Sequence, residues 1–266
     1  MKNAINFVRH IIENRYLLFQ LTKRNVTAQY KRSKLGMFWS LAEPLAFMGI
    51  LYVVFGIGLR GGRNMDIPFI CYLITGLAVI QFFSQTLSAG TNAIRSHAFL
   101  INKVHVRLSI LPLVSVLSGI VDHIIFLTAV IVILLVHHIF PDIYWLQVLY
   151  YQIALSLFLV GLTLFTASVG VFFPDLQSIV RIVSRMLFYG SPIFWDFSMI
   201  PERLQFWLKL NPLFYIVMGY RNAFFYKVNF WEDPFLIGYF WSWTIFMILF
   251  GGFVFSRLKN QFADYL

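Results

Sequence analysis

The chain has 266 residues, 59% of them hydrophobic and only 12% charged, with a mean hydropathy of +0.75. A soluble domain carries roughly 25% charged residues, so this composition excludes the ordinary soluble fold classes and leaves a surplus of apolar surface that must face lipid. The net charge of +10 sits between apolar stretches, where it reports topology and not nucleic-acid binding, and the single Cys71 excludes an intrachain disulfide.

The first apolar stretch is interrupted by Arg9, His10, Glu13, Asn14 and Arg15, so it does not read as a cleavable signal peptide. Over residues 4–21, Ile5, Val8, Ile12 and Phe19 recur at helical spacing, joined by Ile11 and Leu18. The pattern predicts an amphipathic helix along the membrane surface, or equally a basic anchor to anionic lipid. Segment 1–35 is thus a separate interface segment, and 36–266 reads as one membrane domain without a polar linker.

Spanning the hydrocarbon core takes about 20 apolar residues in a helix, and lipid forbids open strands. Six stretches qualify: 36–59, 68–89, 108–136, 144–173, 179–197 and 235–255. The fifth carries Arg181 and Arg185 in its first turns, placed where long side chains snorkel to the interface. A seventh apolar stretch, 204–225, is broken by Lys209, Asn211, Pro212 and Arg221 and reads as short re-entrant helices. The expected fold is therefore an all-α integral membrane protein of six transmembrane helices. It has an N-terminal amphipathic interface helix, and re-entrant helices on the outer side before the last span.

Charge bias orients it. Residues 1–35 carry Lys2, Arg9, Arg15, Lys23, Arg24, Lys31, Arg32 and Lys34 against the single acid Glu13. Six spans put 1–35, 90–107, 174–185 and 256–266 on one side, with most of the 21 basic residues. That side is read as the cytoplasm, with both termini there. The segment 91–107 mixes Arg95, His97, Asn102, Lys103, His105 and Arg107 with Ala98, Phe99, Leu100, Ile101 and Val104. It reads as a short helix parallel to the membrane or a solvated connector. No internal repeat supports an inverted-repeat transporter.

Two places put charge inside spans. Glu43, before Pro44, needs protein, water or a basic partner around it, and reads as a structural ion pair or as a gate at the cytoplasmic mouth. Pro44 removes a backbone donor and is a candidate kink. Asp122 and His123 are a candidate proton relay, but adjacent residues point about 100° apart on a helix, and a polar contact between helices is the plainer reading. Asn25-Val26-Thr27 matches a glycosylation sequon on the side assigned to the cytoplasm, and is discounted. No nucleotide-binding loop, zinc motif or nucleophile elbow is seen, so ATP hydrolysis would need another polypeptide. The aromatic share of 19% serves lipid-facing belts or a path for sugars.

Several motifs in order resemble the membrane subunit of type-2 ABC exporters of lipid-linked polysaccharide, the permeases of capsule, O-antigen and teichoic acid. They are Tyr30-Lys31-Arg32-Ser33-Lys34-Leu35-Gly36 with Phe38-Trp39 and Glu43-Pro44, then Phe172-Phe173-Pro174-Asp175-Leu176. Ser191-Pro192-Ile193-Phe194, Ile200-Pro201-Glu202, Asn211-Pro212-Leu213 with Arg221, and Arg257 through Phe262-Ala263-Asp264 follow. In one departure, Pro174 stands before Asp175 where many members carry Arg. That weakens the case for a salt bridge to the ATPase there and leans toward the capsule-like branch.

The resemblance implies a homodimer with two copies of a separate ABC ATPase, in a bacterial inner (plasma) membrane, among membrane lipids. It implies no cofactor on this chain, with ATP and Mg on the ATPase. It gives ATPase coupling to Arg95, His97, Phe99, Asn102, Lys103, His105, Pro174 and Asp175, with a coupling helix over 92–105. It gives the cytoplasmic entrance to Lys31, Arg32, Lys34, Phe38, Trp39 and Glu43. Ser191, Pro192, Pro201, Glu202, Asn211, Pro212 and Arg221 would form the outer re-entrant region, with the glycan passing between protomers and its lipid in the bilayer. Catalytic and metal sites are not expected. The competing readings are a drug or lipid exporter permease, a proton-coupled transporter using Asp122 and His123, and a membrane transferase using Asp196, Glu202, Glu232 and Asp233.

Overall fold

The structure is a computed structural model that describes residues 15–31, 34–59, 67–98 and 108–266. Helix α1 (Arg15–Lys31) precedes α2 (Phe38–Leu51), which runs on with π geometry over Tyr52–Leu59. Then come α3 (Phe69–Thr91), the short α4 (Ala93–Ser96), α5 (Ile110–Val136), α6 (Gln147–Phe172) and α7 (Leu176–Gly190). The chain closes with α8 (Glu202–Lys209), α9 (Pro212–Arg221, extended as a π turn over Asn222–Tyr226), α10 (Pro234–Leu258) and α11 (Phe262–Tyr265).

Five helices are long and apolar enough to cross a membrane, over Phe38–Gly58, Phe69–Thr91, Ile110–Val136, Ile143–Phe172 and Pro234–Gln261. They match five of the six expected spans. The sixth differs. The apolar run 179–197 yields α7, whose 15 residues reach about 22 Å at 1.5 Å per residue, short of a hydrocarbon core about 30 Å thick. The helix stops because Ser191 turns extended and Pro192 follows, and the chain there is held by its polar partners. Ser191 Oγ accepts from Asn211 Nδ2 at 2.9 Å, and the Ile193 carbonyl accepts from Arg221 Nη2 at 3.2 Å. Pro44 sits buried inside the helix Phe38–Leu51.

Helix α3 is the central post. Every residue from Cys71 to Ile80 is buried, against α5, α6, α7 and α9. Helices α6 and α10 form the closest pair. Gly161 and Gly251 allow it, since a Cβ on Gly161 would run into the backbone of Met247 and Ile248 and one on Gly251 into the Gly161 carbonyl. Without a hydrophobic drive between helices in lipid, such small residues let backbones pack closely. Side chains such as Ile124, Val132, Leu149, Ile153, Ile245, Leu249 and Phe253 remain exposed, as lipid-facing surfaces should.

The expected interface helix lies partly outside the described residues. Its described part, 15–21, belongs to α1, which continues to Lys31. Leu18 is buried against Ile110, Leu113 and Val114, while Phe19 stays exposed. At the same end of the bundle Ile94, Val171, Phe255 and Phe262 form a small core. We call this the basic end.

The stretch 204–225 forms parts of α8 and α9, two short helices joined at Asn211. Asn211 Oδ1 accepts from the Leu213 amide at 3.0 Å and Pro212 takes the first helical position, a standard helix start. Helix α9 then lies buried against α3, α6 and α10. Lys227, at φ 54°, closes it, and Lys227 Nζ pairs with Asp142 at 3.0 Å at the far end. Asp233 caps α10 in the same way, accepting from the Leu236 amide at 3.1 Å.

Candidate functional site

Polar residues recur along one side of α3 at helical spacing: Gln81, Ser84, Gln85, Ser88 and Asn92. An apolar span has no reason to carry such a stripe unless it faces water or a ligand. The stripe lines one wall of a groove of about 990 Å³. Helix α7 supplies Gln177, Arg181, Ser184 and Arg185, again at i, i+4 and i+7 or i+8. Helix α5 supplies Ser115, Ser118 and Asp122, and α1 supplies Asn25 and Gln29. Phe47, Phe188 and Tyr189 add aromatic faces. Among the described lining residues, most polar groups are uncharged amides and hydroxyls, with Arg181, Arg185 and His97 toward the basic end.

Hydrogen bonds hold the walls. Gln177 Nε2 donates to Ser88 Oγ at 2.7 Å and to the Ser88 carbonyl at 3.2 Å, joining α7 to α3. Asn25 Nδ2 donates to Ser118 Oγ at 3.2 Å, and Gln29 Nε2 to Asp122 Oδ2 at 3.3 Å. The Tyr30 hydroxyl donates to Asp122 Oδ1. Burial and then this carboxylate beside it push the Tyr30 hydroxyl pKa up to about 12. Asn25, read as a discounted sequon, is a bolt between α1 and α5. A second cavity of about 190 Å³ opens beside the groove and shares Gln81, Gln85 and Asp122 with it.

Asp122 and His123 both line the smaller cavity but hydrogen-bond to different partners. His123 Nε2 is 2.9 Å from the Tyr220 hydroxyl, which donates to Gln152 Oε1 at 3.1 Å. That cluster is buried among α5, α9 and α6, so the contact between helices is the reading the structure supports.

The predicted entrance residues are partly gathered. Trp39 and Glu43 line the smaller cavity, and Glu43 makes no ion pair among the described residues. Lys31, Lys34 and Phe38 are exposed nearby in the chain, and Arg32 lies outside the described residues. Arg95 is exposed on α4, and His97 reaches the groove with Nδ1 at 2.9 Å from the Ala93 carbonyl. Phe99, Asn102, Lys103 and His105 lie outside the described residues. Pro174 and Asp175 are exposed at the turn between α6 and α7.

The outer set is brought together in part. Ser191 and Asn211 bond each other. Arg221 is fully buried: Nη1 donates to the Tyr72 hydroxyl at 2.8 Å, Nη2 to the Ile193 carbonyl, and the guanidinium lies 3.4 Å over the Tyr72 ring. Pro192 is buried beside them, and Pro201 and Glu202 open α8 at the surface. Sequence reasoning missed the polar stripe of α3 and the polar side of α7. The signal was present as i, i+3, i+4, i+7 spacing of uncharged polar residues within apolar runs.

A multi-pass helical bundle with a wide polar groove and no nucleotide-binding motif is the architecture of a transporter's membrane subunit. The chain belongs to the ABC-2 type transporter family, whose pattern it matches over residues 16–225. It is similar to an O-antigen export system permease protein RfbA of Klebsiella pneumoniae, 28% identical over 252 residues, covering 94% of this chain and 95% of that one. A protein of the same name from Myxococcus xanthus is 27% identical over 226 residues, covering 83% and 85%. The polysialic acid transport protein KpsM of Escherichia coli is 26% identical over 213 residues, covering 75% and 78%.

Proposed function

We propose that this chain is the membrane subunit of an ATP-driven exporter that moves lipid-linked polysaccharide, of the capsular, O-antigen or teichoic acid kind, across the bacterial inner membrane. The observation that carries the reading is the groove. Its walls of amides, hydroxyls and aromatic faces suit a hydroxyl-rich chain that must slide without being held tightly. The likeness to an O-antigen export permease over 94% of this chain, and to a polysialic acid transport protein over 75% of it, supports the same substrate class.

On this reading the basic end faces the cytoplasm, with both termini there, and α7 completes a sixth crossing together with the residues that follow it. Two copies pair, and two copies of a separate ATPase bind ATP and Mg. The ATPase docks on the turns that carry Arg95, His97 and Asp175, with Phe99, Asn102, Lys103 and His105 completing the first contact and Pro174 the second. Lys31, Arg32, Lys34, Phe38, Trp39 and Glu43 rim the entrance. Ser191, Pro192, Pro201, Glu202, Asn211, Pro212 and Arg221 hold the re-entrant region. Closure of the ATPases moves the helices as rigid bodies.

Affinity purification of the tagged chain from its native host in mild detergent tests the reading. A stoichiometric partner bearing a nucleotide-binding loop is expected. A stable preparation that transports without any ATPase contradicts it.

A further inference from the structure

The smaller cavity shares Gln29, Gln81, Gln85, Thr86, Gly119 and Asp122 with the groove and adds Trp39 and Glu43. Trp39 and Glu43 of α2, Gln81 and Gln85 of α3 and Asp122 of α5 surround about 190 Å³. Asp122 is already fixed by Tyr30 and Gln29. Glu43, Gln81 and Gln85 make no hydrogen bond or ion pair among the described residues. Thr86 is 1% exposed and lines the same cavity, and its Oγ1 has no hydrogen-bond partner. That hydroxyl is packed against Gly119, so the groups open to an occupant are those of Glu43, Gln81 and Gln85.

An occupant must therefore offer several groups that both donate and accept, in a volume below the roughly 300 Å³ of a drug-sized pocket. It must also present an apolar face to an indole. A pyranose ring does both: its hydroxyls donate to carboxylate and amide oxygens and accept from amide nitrogens, while its C–H face lies on Trp39. No Lys or Arg lines the cavity among the described residues, and two carboxylates do. Two carboxylates disfavour a third negative charge beside them, an effect that water at the exposed Glu43 weakens.

We propose that this cavity is a monosaccharide subsite for a neutral or amino-bearing pyranose of the transported chain, and that it disfavours an acidic sugar. The proposal rests on the export reading and adds a substrate class to it. The chain enters by the wide groove, and one ring at a time lodges beside Trp39 and is released as the next arrives.

The test places a diazirine-bearing residue at Ser40, or in a parallel strain at Phe126, both of which line the smaller cavity and not the groove, in cells exporting their own glycan. A third strain carries the probe at Arg185 in the wide groove. After irradiation the purified chain is stained for carbohydrate and the adduct is hydrolysed for sugar analysis. Capture of glycan rich in neutral or amino sugars at 40 or 126 is expected. With it, Trp39→Ala should slow export several-fold and Trp39→Phe should restore most of the rate. Capture at 185 with none at 40 or 126 overturns the subsite and leaves the export reading standing. Capture at none of the three positions in exporting cells overturns both. A captured glycan built of uronic or other acidic sugars overturns the charge selectivity.

Discussion

Asp122 and His123 are adjacent on α5 and bind in different directions: Asp122 accepts from Tyr30 of α1, and His123 meets Tyr220 of α9. One turn of a spanning helix thus ties α1 to α9. Both residues also line the smaller cavity, and their hydrogen-bond partners make them structural joints.

Tyr220→Phe should therefore act on stability. It removes a hydroxyl that serves both His123 Nε2 and Gln152 Oε1 and leaves two buried groups short of a partner. Interhelical hydrogen bonds in membranes are worth about 0.6 kcal/mol on average and up to about 1.7. A cost of about 1 kcal/mol is expected in denaturant or thermal unfolding in detergent. A double-mutant cycle with His123→Phe should show positive coupling. Export should fall only in proportion to the folded protein remaining.

Arg221 is the second joint. Gly76 makes room for it, since a Cβ there would sit 3.2 Å from Arg221 Nη2 and 3.2 Å from the Ile193 side chain. Arg221→Leu should destabilise by several kcal/mol, because it strips partners from the Tyr72 hydroxyl and the Ile193 carbonyl in a buried setting. Arg221→Lys should not rescue it, as a point charge lacks the planar fork. Quantification of the folded chain in membranes reads both, and normal levels of either variant contradict the account.

The α6–α10 crossing gives a sharp contrast between neighbouring glycines. Gly251→Ala should cost stability by driving a methyl into the Gly161 carbonyl, whereas Gly252→Ala, with nothing within 4 Å of its Cβ, should be nearly silent. The difference in melting temperature between the two variants checks it.

The Tyr30 hydroxyl predicts an alkaline limit for the docking of α1. Its ordinary pKa is 10.0, and burial followed by Asp122 raises it to about 12. The folded state thus favours the protonated phenol. The stabilisation is complete below pH 10, and is lost as pH rises toward 12. Protease protection of α1 should hold to pH 10 and then fall, and Tyr30→Phe should remove that step.

Hydropathy exposed most of the fold before any coordinates, because lipid forces long apolar helices and the charge bias marks their ends. The exception is instructive. The run 179–197 is mostly apolar apart from residues such as Arg181 and Arg185, yet the helix ends at Gly190, where long-range bonds from Asn211 and Arg221 hold the following turn. Pro192 marks the break locally, but the partners that hold the turn do not show in any local pattern. The groove was legible but unread. Gln81, Ser84, Gln85 and Ser88 are single uncharged residues within an apolar span, and only their shared helical face and the facing Gln177 and Ser118 turn them into one surface. Glu43 drew attention as an ionisable residue, but its place in a cavity with Gln81 and Gln85 depends on the packing of α2 against α3.

The central claim is that this chain carries glycan across the membrane at the expense of ATP hydrolysed by a partner. The most direct measurement is the location of the host's surface polysaccharide after the gene is deleted and after it is restored. The account predicts that deletion leaves polymer on its lipid carrier inside the cell, inaccessible to an added glycosidase, and that restoring the intact chain returns it to the surface. Polysaccharide that remains at the surface at normal levels in the deletion strain would contradict it.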